Sequence, residues 1–188
     1  ASNAWAFDVQ LRCGTTIMAM KVAKSLMLAD DTIHTVLLAG GYRNCDFIDY
    51  QNERTRFMFN LAAGGGAIIL QKNCNENSVL EADLLTDGSF SEDVVVPVGG
   101  TKNPLTPELL AQGAYRLDVL DPKGMKVRLE EKSLNNFIKV IRSSLAKSGY
   151  SEQDIAYIAV LHMKKSAHDY VLKTLGLSSE QSIYLEHY

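Results

Sequence analysis

Near its start the chain alternates. Trp5, Phe7, Val9 and Leu11 take one side and Ala6, Asp8, Gln10 and Arg12 the other, a period of two that predicts a strand. The period then changes. From Ile17 to Ala29, the positions Ile17, Met20, Ala23, Lys24 and Met27 recur at helical spacing among good helix formers. Gly14 or Thr15 is placed to cap that helix, and Asp30-Asp31 to end it, since carboxylates are unfavourable at a helix C-terminus. Thr35 to Ala39 is a continuous apolar run, as expected of a strand buried on both faces. Gly66 to Gln71 is a second such run, entered through Gly64-Gly65-Gly66. The segment between them, 42–60, has no clear period.

The second half continues the mixture. Val79 to Leu85 alternates and meets a turn at Thr86-Asp87-Gly88-Ser89. Val94-Val95-Val96-Pro97 leads to Gly99-Gly100 and a proline-containing loop, and Asp121-Pro122-Lys123-Gly124 predicts another turn. Leu134, Phe137, Ile138, Ile141 and Leu145 mark the apolar face of a helix that Gly149 closes. Ser151 to Asp154 caps a short turn. Ile155 to Leu161 predicts a strand ending at His162. A helix follows around 167–175, closed by Gly176, and Ile183 to Leu185 predicts a last strand. Strands alternating with helices define an α/β protein with a mostly parallel or mixed sheet.

Composition narrows the class. The 188 residues are 46% hydrophobic and 22% charged, which excludes intrinsic disorder and suffices for a sizeable core. Nineteen basic side chains against twenty-two acidic ones give a net charge of −3, unlike the clustered basic surface of a nucleic-acid binder. No run approaches the roughly 20 apolar residues of a membrane span. No basic segment followed by an apolar one, of the signal-peptide kind, is visible. Three cysteines make a sparse, odd set, and a reducing cytoplasm is the expected setting. No metal-binding motif is present, so neither metal nor cofactor is expected.

Two residues carry candidate chemistry. Cys13 falls where a strand turns into a helix, and the unpaired N–H groups of a helix start favour a thiolate nucleophile. The apolar helix behind it predicts a thiol at the bottom of a pocket. The bland alternative is a small buried core residue. His162 ends an apolar strand, where α/β sheets place ligands, and is suited to general acid/base work or to donating a hydrogen bond. Its alternative is a loop or surface histidine. His34, His168 and His187 read as surface residues, and Cys45 and Cys74 as structural or incidental. Gly64-Gly65-Gly66 precedes a strand and not a helix, so it predicts a tight turn or close backbone packing instead of a phosphate loop.

These pieces resemble a known family. The segment Ala6-Phe7-Asp8-Val9-Gln10-Leu11-Arg12-Cys13-Gly14 is similar to the nucleophile segment of the β-ketoacyl-[acyl-carrier-protein] synthase III family, in the thiolase superfamily. The strand Thr35 to Gly41, the glycine-rich stretch Ala62 to Leu70, the hairpin region from Leu84 to Gly100, and Ile155 to His162 resemble further family segments in the same order. The resemblance implies a thiolase-like layered α/β/α/β/α fold, here incomplete. Residues 1–75 would be the C-terminal part of its first half, and residues 76–188 most of its second.

It also implies an acyltransferase of fatty acid biosynthesis. Cys13 would take the acyl group from acyl-CoA, and His162 would assist decarboxylative condensation with malonyl-[acyl-carrier-protein]. Homodimers would be usual. Three departures set this chain apart: Ala63 replaces an Asp in the glycine turn, Met163-Lys164-Lys165 replaces Gln-Ala-Asn after the histidine, and Arg12 replaces a small residue before the cysteine. The family's third catalytic residue, an Asn, would fall a few positions beyond Tyr188, so little turnover is expected of these residues alone. Two other readings remain open. One is a non-decarboxylating transfer to an alcohol or amine. The other is a non-catalytic binding or dimerisation fragment.

Overall fold

The computed structural model describes residues 3–59 and 61–184. The chain divides into two compact units, each built from separate stretches of sequence. The first comprises 1–38, 67–85 and 134–188, and the second comprises 39–66 and 86–133. This division follows contacts within the chain.

In the first unit, α1 (Thr15–Ala29) starts at Gly14 and ends at Asp30, as its cap signals require. The helices α4 (Leu134–Lys147) and α5 (Lys165–Leu175) pack on one another. Their core is Ile138, Val171 and Leu175, joined by Leu134, Ile141, Ile158, Val160 and Leu177. Gly176, at φ +71°, is the left-handed residue closing α5, where a side chain would be strained. Gly149, at φ +78°, does the same after α4. The Ser151 and Asp154 capping box opens the short 3-10 turn Glu152–Asp154.

The expected strand at 155–161 is extended but only half-buried. Ile158 and Val160 face the helices, while Tyr157 is 55% exposed. Among the described residues it pairs in parallel with the segment after Gln181 through one bridge, Ile158 to Ser182. There Ile158 N–H donates to Gln181 O at 2.8 Å, and Ser182 Oγ donates to Ile158 O at 2.9 Å. Leu185, in the last predicted strand, lies outside the described residues.

The alternating segment 79–85 forms no strand ladder among the described residues. Helix side chains satisfy its backbone instead. Lys21 Nζ donates to Ala82 O at 2.7 Å, Glu81 N–H donates to Ser148 Oγ at 3.1 Å, and Asp83 N–H donates to Ser144 Oγ at 2.9 Å. The predicted strand at 5–11 also finds no ladder partner among the described residues. The rings of Trp5 and Phe7, two residues apart, stack at 5.7 Å.

The two sheet strands are β1 (Thr35–Arg43) and β2 (Ala63–Gln71). They run antiparallel, with Lys72 N–H donating to His34 O just past one end and Gly41 lying against Gly64 and Gly65 near the other. Both are longer than predicted and largely exposed, Leu37 by 64%. The expected burial on both faces is therefore corrected, because no second layer covers them among the described residues. Of Gly64-Gly65-Gly66, the close-packing reading holds at Gly65 and not at Gly66, where a Cβ would meet nothing within 4 Å. A Cβ on Gly41 would approach Gly64 O to 3.2 Å, and one on Gly65 would approach Gly40 O to 3.3 Å.

The second unit is mostly short turns around Ile48, Met58 and Leu117. The segment without a clear period contains two 3-10 helices, Asn44–Phe47 and Glu53–Met58. Helix α2 (Pro107–Ala111) follows Thr106 as its cap. The turn expected at Asp121 to Gly124 is instead the start of α3 (Pro122–Arg128). Asp121 accepts from Gly124 N–H at 2.9 Å, and Pro122 takes the first helical position.

Candidate active site

Cys13 lies in a 3-10 turn, Arg12–Gly14, that runs directly into α1. Hydrogen bonds hold the turn, among them Thr15 N–H donating to Arg12 O. Leu11 N–H donates to Thr15 Oγ1 at 2.8 Å, Thr15 Oγ1 donates to Arg12 O at 2.7 Å, and Gly14 N–H donates to Leu11 O at 3.0 Å. Arg12 adopts φ +50°, a left-handed conformation uncommon for a residue with a side chain. Strain of this kind persists only where the surroundings enforce it, and it concentrates at functional turns.

The expectation of a thiol at the bottom of a pocket is corrected. Cys13 is exposed, and α1 buries only Ala23 and Met27 fully. Ile17, one turn in, is itself 50% exposed. The apolar face that predicted burial is covered at Ala23 and Met27 but open at its N-terminal end, beside Cys13. An open groove lined by Asn135, Ile138, Lys139, Arg142, Tyr170 and Thr174 lies along α4 and α5 and contains neither Cys13 nor His162.

His162 ends the extended segment whose core-facing residues are Ile158 and Val160. The alternation of an extended chain gives it the same parity as those two. It is exposed. Its imidazole stacks on the ring of Tyr184, with centroids 4.8 Å apart and planes 25° apart. Cys13 and His162 belong to the same compact unit, on separate elements.

His168 overturns its surface reading. It is 3% exposed, and its ring tilts against the other neighbour of the stack, Tyr184, at 5.1 Å. The signal was available. His168, Val171, Leu172 and Leu175 share the helical period, so the histidine falls on the apolar face of α5. His34 is exposed as expected, and His187 lies outside the described residues. Cys45 is half-buried and Cys74 exposed, both free. Sequence reasoning missed Tyr184, whose place depends on the register of the parallel bridge.

Among the described residues, no group of His, Cys, Asp and Glu is arranged to hold a metal ion. No helix there is long and apolar enough to cross a membrane.

The chain is an α/β protein with a cysteine at the head of a helix and a histidine at the end of an apolar segment. The fold agrees with solved structures. A 3-oxoacyl-[acyl-carrier-protein] synthase III from Aquifex aeolicus VF5 superposes with a TM-score of 0.74 at 16% identity, over 97% of this chain and 52% of that one. One from Thermus thermophilus gives 0.70 at 21% identity, over 97% and 53%.

Residues 7–88 match the family of 3-oxoacyl-[acyl-carrier-protein (ACP)] synthase III. β-Ketoacyl-[acyl-carrier-protein] synthase III of Chlorobium phaeobacteroides is 27% identical over 183 residues, 96% of this chain and 53% of its own length. That of Aliarcobacter butzleri is 28% identical over 183 residues, 97% and 53%. The chain is thus similar to synthase III proteins in sequence and in fold. It spans about half the length of the curated relatives it matches.

Proposed function

We propose that the protein carrying this chain is an acyltransferase of the synthase III kind, with Cys13 as nucleophile and His162 as its partner in condensation. The observation that carries the reading is the position of Cys13. It is an accessible thiol on a strained turn at the head of α1, inside the stretch matched by the family. In this reading the Cys13 thiolate attacks the thioester carbonyl of an acyl-CoA, and CoA leaves as its thiol. Malonyl on an acyl carrier protein then loses carbon dioxide. The resulting carbanion attacks the acyl-cysteine, releasing the Cys13 thiolate and the 3-oxoacyl product. His162 donates a hydrogen bond to the malonyl thioester oxygen as charge develops there, an interaction stronger in the transition state than in the ground state.

The reaction calls for no cofactor beyond its two thioester substrates. Acyl-CoA and acyl carrier protein are the proposed partners, in a cytoplasmic homodimer serving fatty acid biosynthesis. The test is incubation of the whole protein with labelled acyl-CoA, followed by mapping of the adduct. A label on the Cys13 peptide that disappears in Cys13→Ala supports the reading. No label, or one that survives the substitution, ends it.

A second reading has its own observation. Met163-Lys164-Lys165 follows His162 where the resembled family has Gln-Ala-Asn, and this favours acyl transfer to an alcohol or amine without decarboxylation. Loss of acyl-enzyme to an amine or alcohol, with no carbon dioxide released from malonyl-carrier protein, would distinguish it.

A further inference from the structure

The side chain in contact with His162 is not one that the proposed chemistry uses. Tyr184 presents a ring face to the imidazole at 4.8 Å and is itself held from several directions. Its hydroxyl donates to Met163 O at 2.9 Å, pinning the residue that follows His162. The buried His168 ring lies against it at 5.1 Å, and the Lys165 ammonium sits over it at 5.5 Å, within cation–π range. The register of the parallel bridge brings this residue here. With Ser182 opposite Ile158, two more residues along each extended segment reach Val160 and Tyr184, beside the end that carries His162.

We propose that Tyr184 is a positioning residue, whose ring fixes the plane of the His162 imidazole for the condensation step. The proposal rests on the role given to His162 above. An exposed imidazole at the end of an extended segment has rotational freedom that a hydrogen-bond donor in a transition state must lose. A ring face backed by a buried histidine removes that freedom before substrate arrives. Acylation of Cys13 does not use His162 in this scheme, so the two half-reactions separate the role from a general loss of structure.

In the whole protein, Tyr184→Leu is expected to slow condensation about 10- to 100-fold. It should leave the rate of Cys13 acylation by acyl-CoA unchanged, and Tyr184→Phe should restore most of the condensation rate. The His162 ring-proton resonance, displaced by the neighbouring ring, should move in Tyr184→Leu and stay in Tyr184→Phe. Equal loss of both half-reactions in Tyr184→Leu would overturn the proposal, and so would Tyr184→Phe as slow as Tyr184→Leu.

Should Tyr184→Leu fail to fold, the unsubstituted protein decides. A nuclear Overhauser contact between the two rings is required, and its absence overturns the proposal. His162→Ala provides the separating control. Full condensation in that variant removes the underlying role and this proposal with it. An inactive His162→Ala beside a fully active Tyr184→Leu removes this proposal alone.

Discussion

The Asp121 carboxylate occupies the space that a side chain on Gly124 would need. One oxygen accepts from Gly124 N–H at 2.9 Å, and the other lies 1.9 Å from where a Cβ would stand. Replacing glycine by alanine inside a helix ordinarily stabilises by about 1 kcal/mol. Here the gain is opposed, because the carboxylate must move off a cap worth about 1 kcal/mol. We expect Gly124→Ala to give about 1 kcal/mol less stability in the presence of Asp121 than in an Asp121→Ala background. A double-mutant cycle by denaturant unfolding reads the difference, and equal effects in both backgrounds would refute it.

Asp118 ties the second unit together. Arg54 donates to its two oxygens at 3.0 and 2.7 Å, Asn52 Nδ2 donates to it at 2.9 Å, and Val119 N–H donates at 2.8 Å. The hydrogen bonds from Arg54, ahead of those from Asn52 and Val119, hold its carboxyl below the usual aspartate range. Asp118→Ala leaves these donors without their acceptor. A loss of about 1–3 kcal/mol is expected on the scale of charge-assisted hydrogen bonds. The chemical denaturation midpoint checks it, and an unchanged midpoint would contradict the network's role.

Asp83 gives the pH prediction. Its carboxyl is lowered from 3.8 to about 2, first by the hydrogen bond from Lys147 and then by one from Ser143. A folded-state value below the unfolded one contributes stability that is present above pH about 4. That contribution is lost as pH falls through about 2. Removing the ammonium by Lys147→Gln should raise the Asp83 titration midpoint toward 3.8, followed by NMR of the side-chain carbon. A midpoint that stays near 2 would exclude Lys147 as the main cause.

The two proposed catalytic residues should fail differently. Cys13→Ala is expected to abolish the acyl adduct. His162→Ala should keep it and slow condensation by about 10²- to 10³-fold, the range for losing one hydrogen-bond donor to developing charge. Rapid-quench measurement of each half-reaction tests this, and loss of acylation in His162→Ala would reverse the assignment.

The legible parts of the chain are those settled within a few residues. The Gly14 start and Asp30 stop of α1, the closures at Gly149 and Gly176, and the Ser151 to Asp154 box follow from hydrogen bonds spanning two to four positions. The Asp121-Pro122 helix start obeys the same rules and was legible in principle, but the dipeptide also signals a turn. His168 was likewise readable from the apolar period of α5. Cys13 at the head of a helix was readable because both the helix and its start are local.

Tertiary structure alone decided what faces what. Alternation at 79–85 and at 5–11 is equally compatible with a ladder, with helix side chains as partners, or with no partner. Only positions about 60 residues away, such as Ser144 and Ser148, decide the first case. The exposure of Cys13 is likewise settled by which layers pack against its helix. The contact of Tyr184 with His162 depends on a parallel register set at Ile158 and Ser182, 24 residues apart. Local sequence determines backbone conformation and its caps because those interactions close within a turn. Burial and side-chain juxtaposition arise from chain segments meeting at long range, where one position of slip exchanges every inward and outward residue.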